Sequence, residues 1–345
     1  LCSAMTTSNP VFGKDRPKKS GMTATPSEDR SRSYERYLLR RVLDAMGSPR
    51  FAVALWDGFK ISPKDATPVA TVNVHSRSAL NQLLRQGDMG FGDAFSNGGI
   101  SVEGDLVAML VAAFTVPEPT GIAAVMKSLQ QRKPRANTKD GSRENIHHYY
   151  DIGNDFYRLW LDKEMQYTCA YFPEDELTIE AAQQAKMDHI CRKLQLRPGD
   201  RVAEAGCGWG GLARHMALNY GATVSSWNVS DEQVQCATDR AKAEGYDDRV
   251  TYVLDDYRNI TGEYDAFVSV GMLEHVGLDN YTELGGVVDR CLTQNGRALV
   301  HTIGRNRPRL MNAWIEKRIF PGAYPPTIKE MMEIFEAQSF FGARC

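Results

Sequence analysis

Residues 201–214 read RVAEAGCGWGGLAR: a short apolar run into Glu204, then Gly206, Gly208, Gly210 and Gly211, then a helical pattern. Glycine tolerates positive φ and lets a ligand approach the backbone closely. The N-terminus of the helix that follows favours negative charge. Taken alone, such a loop fits a dinucleotide site or merely a tight turn. Its spacing is G-x-G-x-G with an acid two residues ahead of the first glycine, which departs from the G-x-G-x-x-G dinucleotide fingerprint.

Outward from this loop the rhythm is regular. Apolar runs at 201–205, 222–227, 250–254, 266–270 and 297–303 read as strands. Helical patterns at 212–219, 231–244, 281–292 and 327–336 alternate with them. Alternation of this kind predicts an α/β unit with a mostly parallel sheet covered on both faces. Ligands of such sheets bind at the carboxyl ends of the strands. The loop is most similar to that of Rossmann-like methyltransferases that use S-adenosylmethionine (SAM), where Glu204 would help hold the cationic methionyl end. The second strand ends in Trp227-Asn228, without the acid that often takes the ribose hydroxyls. Asn228 both donates and accepts, and Gln233 on the next helix can reach inward. An ordinary turn residue is the alternative for Asn228. Asp256 and Tyr257 after the third strand suit an adenine edge and face, or a surface turn.

Towards the N-terminus, residues 1–32 carry no periodic apolar pattern and read as a disordered tail. Lys14, Arg16, Lys18 and Lys19 there could touch anionic lipid weakly. Residues 33–116 read as a small α+β domain, with helices at 34–46, 78–86 and 106–114 and strands at 51–56 and 68–74. A glycine-rich stretch, 90–104, lies among them. Residues 117–145, punctuated by prolines and basic residues, read as a linker, and 146–345 as the methyltransferase domain. The net charge of −2 supplies no basic field for nucleic acid. The longest apolar run, 106–116, falls short of the roughly 20 residues that span a bilayer. Seven scattered cysteines form no C-x-x-C pair, which argues against zinc and for reduced thiols in the cytoplasm.

The segment 150–172, YDIGNDFYRLWLDKEMQYTCAYF, is more than generic architecture requires. Together with VSVGMLEHVG (268–277), LVHTIG (299–304) and IFPGAYPP (319–326), it resembles the cyclopropane-fatty-acid and cyclopropane-mycolic-acid synthases. FGDAFSNGGISVEGDL (91–106) extends the likeness weakly into the first domain. The resemblance implies methylene transfer from SAM to the cis double bond of an unsaturated phospholipid acyl chain. A cis alkene is a poor nucleophile, so it must be held in line with the methyl and shielded from water. A base must then remove a proton for the ring to close. In this family that base is a bound bicarbonate ion, and the matching positions are Cys169, Glu274, His301 and the backbone of Ile303. Each has a plainer reading by itself: Cys169 as a small buried hydrophobe, His301 as a satisfied polar residue, Glu274 as a helix cap. For SAM the resemblance points to Tyr167, Thr168, Gly206, Gly208, Asn228, Gln233, Asp256 and Tyr257. This chain has Thr168 and Asn228 where the family usually has Ser and Thr. It reads Tyr149-Tyr150-Asp151 where the family has His-Tyr-Asp.

The likeness further implies peripheral contact with the inner face of the cell membrane. Two copies on one surface would gain avidity, which makes a homodimer a reasonable expectation. Family members run on past residue 345 into a strand hairpin and a tyrosine ligand of the bicarbonate. Without that hairpin, 297–303 is expected to be an exposed edge, with lower stability and little or no activity. Competing expectations are a methyl- or methylene-branched product, an inactive lipid- and SAM-binding protein, and N-methylation of a small molecule.

Overall fold

The computed structural model describes residues 30–64, 66–115 and 153–336. The expected tail is thus seen only at its last residues. The linker 117–145, the departure at 149–151 and the segment 337–345 lie outside the described residues. The chain divides into two compact units, Leu1–Pro117 and Glu118–Cys345.

In the first unit, strands β1 (Ala52–Leu55), β2 (Lys60–Ile61), β3 (Ala70–Val74) and β4 (Ile100–Gly104) form a sheet in the order β2-β1-β3-β4. β1 and β3 run parallel, and the outer pairings are antiparallel. Alternation along β3 buries Ala70, Val72 and Val74 in a core shared with Leu39, Leu43 and Leu80. Helices α1 (Ser33–Ala45), α2 (Arg77–Gln86), α3 (Asp88–Ser96) and α4 (Leu106–Phe114) complete the unit. The glycine-rich stretch 90–104 is more ordered than its composition suggests, for it holds most of α3 and all of β4. Gly90 explains how. A Cβ there would stand 2.6 Å from the Gln82 carbonyl carbon, so glycine lets α3 pack closely on α2.

The second unit carries five strands, β5 (Arg201–Ala205), β6 (Thr223–Asn228), β7 (Val250–Leu254), β8 (Tyr264–Val270) and β9 (Leu292–His301), in the order β7-β6-β5-β8-β9. All four pairings are parallel. The order reverses at β5, so the crevice lies beyond the carboxyl ends of β5 and β8. Successive side chains on β5 and β8 serve opposite cores, as a strand's period of two requires. Val202, Ala266 and Val268 pack with α6 (Ile179–Leu194) and α7 (Gly211–Tyr220). Ala203, Ala205 and Phe267 pack with α9 (Tyr281–Cys291). α8 (Asp231–Glu244) is capped by Ser230 and ends at left-handed Gly245.

Some expected boundaries move. β9 begins at Leu292, because that residue pairs with Tyr264 across a bulge, and it stops at His301, which leaves Ile303 outside the strand. The single helix expected at 327–336 is two short ones, α11 (Ile328–Met331) and α12 (Glu333–Glu336). β9 is the edge of the described sheet and is only partly buried along most of its length. Sequence reading had no counterpart for α6, nor for the shorter α5 (Asn154–Arg158) and α10 (Ala313–Arg318).

Candidate active site

β5 delivers Glu204 to the floor of the crevice and hands the chain to the glycine loop. Gly206, Gly208 and Gly210 all take positive φ, at 87°, 53° and 81°. The N–H groups of Gly206 and Cys207 donate to the Trp227 carbonyl at 2.8 and 3.3 Å, so these two tie the loop to β6. Gly208 is where the loop opens: a Cβ there meets nothing within 4 Å. A cavity of about 440 Å³ lies over it. Its wall includes Tyr167, Thr168, Glu204, Gly206, Gly208, Asn228, Gln233, Asp256 and Tyr257, the whole set expected to bind the methyl donor.

Most polar members of this set are held by partners. Asn228 Nδ2 donates to Gln233 Oε1 at 2.8 Å, and its Oδ1 accepts from Val229 N at 2.8 Å. Gln233 Nε2 is buried and has no partner. That orphan donor, with the open face of Gly208, fits a polar ligand lodged in the cavity. Asp256 is not a lone acid: it caps the turn at Tyr257–Asn259 and pairs with buried Arg258 at 3.1 Å. Asp255 lines the cavity beside it. Glu204 is buried and accepts from the Ser226 hydroxyl. Burial raises its pKa to about 7, against the opposing effects of Ser226 and Lys186.

Sequence reading missed the groups behind this wall. Lys186 on α6 is 5% exposed. Its ammonium donates to Gln166 Oε1 at 2.7 Å and to Thr168 Oγ1 at 2.6 Å. Gln183, one helical turn earlier, donates to the Thr168 carbonyl at 2.9 Å. Burial lowers the Lys186 pKa to about 8, while Asp162, Cys169 and Glu204 oppose the fall. Asp162, also buried, accepts from the backbone of Gln166 at 2.7 Å. The available signal was the pair Gln183 and Lys186, three apart on the apolar side of 179–194. Two polar residues there spoil the stripe and hide the helix.

Much of the rest of the cavity wall is aromatic or apolar, with Gln166, His275 and Arg318 among it. Phe156, Tyr157, Trp160, Trp209, Ile319, Phe320 and Pro321 contribute to it. The Tyr157 ring is tilted against Trp209 at 4.8 Å and against Trp160 at 5.7 Å between centroids, and Tyr167 bridges Trp160 and Phe320.

The four residues expected to hold bicarbonate are arranged differently. None of Cys169, Glu274, His301 and Ile303 is in the cavity wall, although their neighbours Thr168, Met272 and His275 are. Glu274 Oε1 accepts the Ile303 N–H at 2.6 Å. The amide expected to grip the ion is therefore bonded to the acid, and Glu274 is not a helix cap. Its Oε2 is buried with no partner, as is His301 Nδ1. Burial, with Lys186 and Lys193, keeps the His301 pKa below its ordinary value, against the pull of Glu274. Cys169 is exposed, so the reading of it as a buried hydrophobe fails.

A nucleotide-type crevice at the reversal of a parallel sheet, a glycine loop and an aromatic cavity define a Rossmann-like methyltransferase. The family described as mycolic acid cyclopropane synthetase matches residues 137–342. A probable fatty acid methyltransferase of Pseudomonas putida is 38% identical over 279 residues, 77% of this chain and 69% of its own length. The cyclopropane-fatty-acyl-phospholipid synthase of Escherichia coli K12 is 38% identical over 273 residues, 77% of this chain and 70% of its own. A crystal structure of a mycolic acid cyclopropane synthase complexed with SAH and CTAB superposes with a TM-score of 0.55 and 30% identity, over 59% of this chain and 76% of that one. The chain belongs to this family of cyclopropane synthases, enzymes of the SAM-dependent methyltransferase class.

Proposed function

We propose that this enzyme binds SAM over the glycine loop and adds its methyl carbon to the cis double bond of an unsaturated phospholipid acyl chain, closing a cyclopropane ring. One observation carries the reading: a single cavity whose wall joins the nine donor-site residues to an aromatic surface suited to an acyl chain. SAM supplies an electrophilic methyl on a cationic sulfur. Glu204 would meet the methionyl ammonium, and Asn228, Gln233, Asp255 and Asp256 the ribose and adenine polar edges. The aromatic wall would keep water from the alkene and the cation formed on it.

Glu274, whose neighbour His275 lines the cavity, and His301 would hold a bicarbonate ion, which would supply a base beside the cavity. Two buried orphan atoms, Glu274 Oε2 and His301 Nδ1, favour a small polar guest there. The acyl substrate resides in a bilayer, and no helix among the described residues is long and apolar enough to cross one. Peripheral contact with the membrane is therefore part of the reading, with the first unit handling lipid. The name of the Pseudomonas putida relative also covers methylation without ring closure, which differs only in the fate of one proton.

Purified enzyme, labelled SAM and vesicles of unsaturated phospholipid test this directly. Label should enter the acyl chains with a gain of one methylene, and the product should resist catalytic hydrogenation. A labelled product that still takes up hydrogen at a double bond supports branching instead. Label absent from lipid defeats both readings.

A further inference from the structure

Lys186 lies behind the cavity rather than in its wall, yet it touches two residues of that wall. We propose that Lys186 is a positioning residue that turns the Thr168 hydroxyl into an obligatory hydrogen-bond donor, aimed at the carboxylate of the methyl donor. The inference rests on the reading of the cavity as a SAM site.

An ammonium group only donates. Thr168 Oγ1, 2.6 Å from Lys186 Nζ, is therefore an acceptor in that bond, and its own hydrogen remains to be placed. No acceptor among the described residues takes it. The rotamer leaves little choice, because the Thr168 methyl packs on Gly271: a Cβ at Gly271 would stand 2.6 Å from Thr168 Cγ2. With the methyl pinned there, the oxygen faces Lys186 and its hydrogen is left for the cavity. Gln166 is set the same way. Its Oε1 accepts from Lys186 at 2.7 Å, which turns Nε2 towards Gly211 at the start of α7. Gln183 holds the Thr168 carbonyl at 2.9 Å and completes the clamp.

The charges around Lys186 fit this task. Asp162 and Cys169 face it from the segment it clamps, Glu204 from β5 and His301 from β9. Glu204 is the acid for the methionyl ammonium. The same ligand carries a carboxylate close to that ammonium, and a donor hydroxyl backed by a buried cation is its complement. Glu164 in this segment already has Arg214 and Arg240. Without Lys186 a carboxylate would meet Asp162 and Glu204 with no cation behind Thr168, and the hydroxyl would lose the donor that orients it.

Isothermal titration with S-adenosylhomocysteine and its decarboxylated analogue tests the assignment. At pH 7, K186M should weaken S-adenosylhomocysteine about 10- to 100-fold and the decarboxylated analogue by less than about 3-fold. T168V should show the same contrast, T168S should bind as the wild type does, and the double variant should be no worse than either single one. In turnover, K186M should raise KM for SAM and leave kcat within a few-fold. Wild-type affinity should also fall as pH rises through about 8, a step that K186M lacks. Equal losses for both ligands, or additive losses in the double variant, overturn the proposal. If K186M fails to fold, T168V against T168S decides, since equal binding by those two removes the role given to the hydroxyl. Wild-type enzyme that binds neither ligand overturns the SAM reading itself, a result distinct from unaltered binding by K186M.

Discussion

The donor end of the cavity and the Glu274–His301 pair are both buried and polar, but they are finished differently. At the donor end Glu204 has Ser226, Lys186 has Gln166 and Thr168, and Asn228 has Gln233, with Gln233 Nε2 left over for a ligand. At the pair, one carboxylate oxygen and one imidazole nitrogen have nothing. A paired network is rigid before any ligand arrives, whereas unpaired buried atoms wait for one. The difference is one of degree: the donor end is mostly paired and so pre-shaped, while the Glu274–His301 pair keeps a carboxylate oxygen and an imidazole nitrogen open, in keeping with the role proposed for it.

The sharpest way to break this comparison is Glu274→Gln. The amide keeps an oxygen for the Ile303 N–H but cannot act as a carboxylate. Turnover should fall about 10²- to 10⁴-fold, with S-adenosylhomocysteine affinity changed less than about 2-fold by titration calorimetry. A parallel loss of affinity would merge the two regions into one. Next in size is Gly210→Ala at the donor end. Its φ is +81°, and a Cβ would lie 2.7 Å from the Tyr252 ring carbon Cζ. Urea unfolding should show a loss of about 2–4 kcal/mol.

Glu204 sharpens the comparison through pH. Its folded pKa of about 7 lies above the ordinary 4.5, so the folded state holds a proton that the unfolded chain has released. Its contribution to stability is full below pH 4.5 and is lost as pH rises through 7. Melting temperature of the ligand-free enzyme should carry a falling component across that window, and Glu204→Gln should remove it. The smallest effect is a control outside both regions. Asp188 accepts from His215 at 2.9 Å and from Tyr220 at 3.2 Å, between α6 and α7. Asp188→Asn should cost about 1 kcal/mol in urea unfolding and leave turnover unchanged.

The regions also differed in how far they could be read in advance. β5, β7, α4 and α8 stand at the residues their periodicity marked, because short apolar runs set the two strands and the capping side chains of Asp105 and Ser230 fix where the two helices start. The glycine loop was legible because its positive φ values are a backbone requirement that few residues meet. Residues 90–104 carried no periodic signal for α3 or β4, and Gly90 there serves close packing of α3 on α2. The 16-residue α6 escaped notice because Gln183 and Lys186 occupy its buried side.

For the candidate site, motif resemblance named the residues but not their partners. Asp256 read as a partner for an adenine edge or as part of a surface turn, and the structure makes it the cap of the turn at Tyr257–Asn259, paired with Arg258. The Ile303 amide read as an ion ligand, and it bonds to Glu274.

The chain order of the apolar runs, the glycine turn and the residue types of the candidate site were determined by sequence alone, because each is set within a few neighbouring residues. Only tertiary structure decided which buried polar groups are satisfied and which are left open. That depends on segments far apart in the chain, such as 166–168 with 186 and 204 with 226, reaching hydrogen-bond distance, and no local pattern encodes such a meeting.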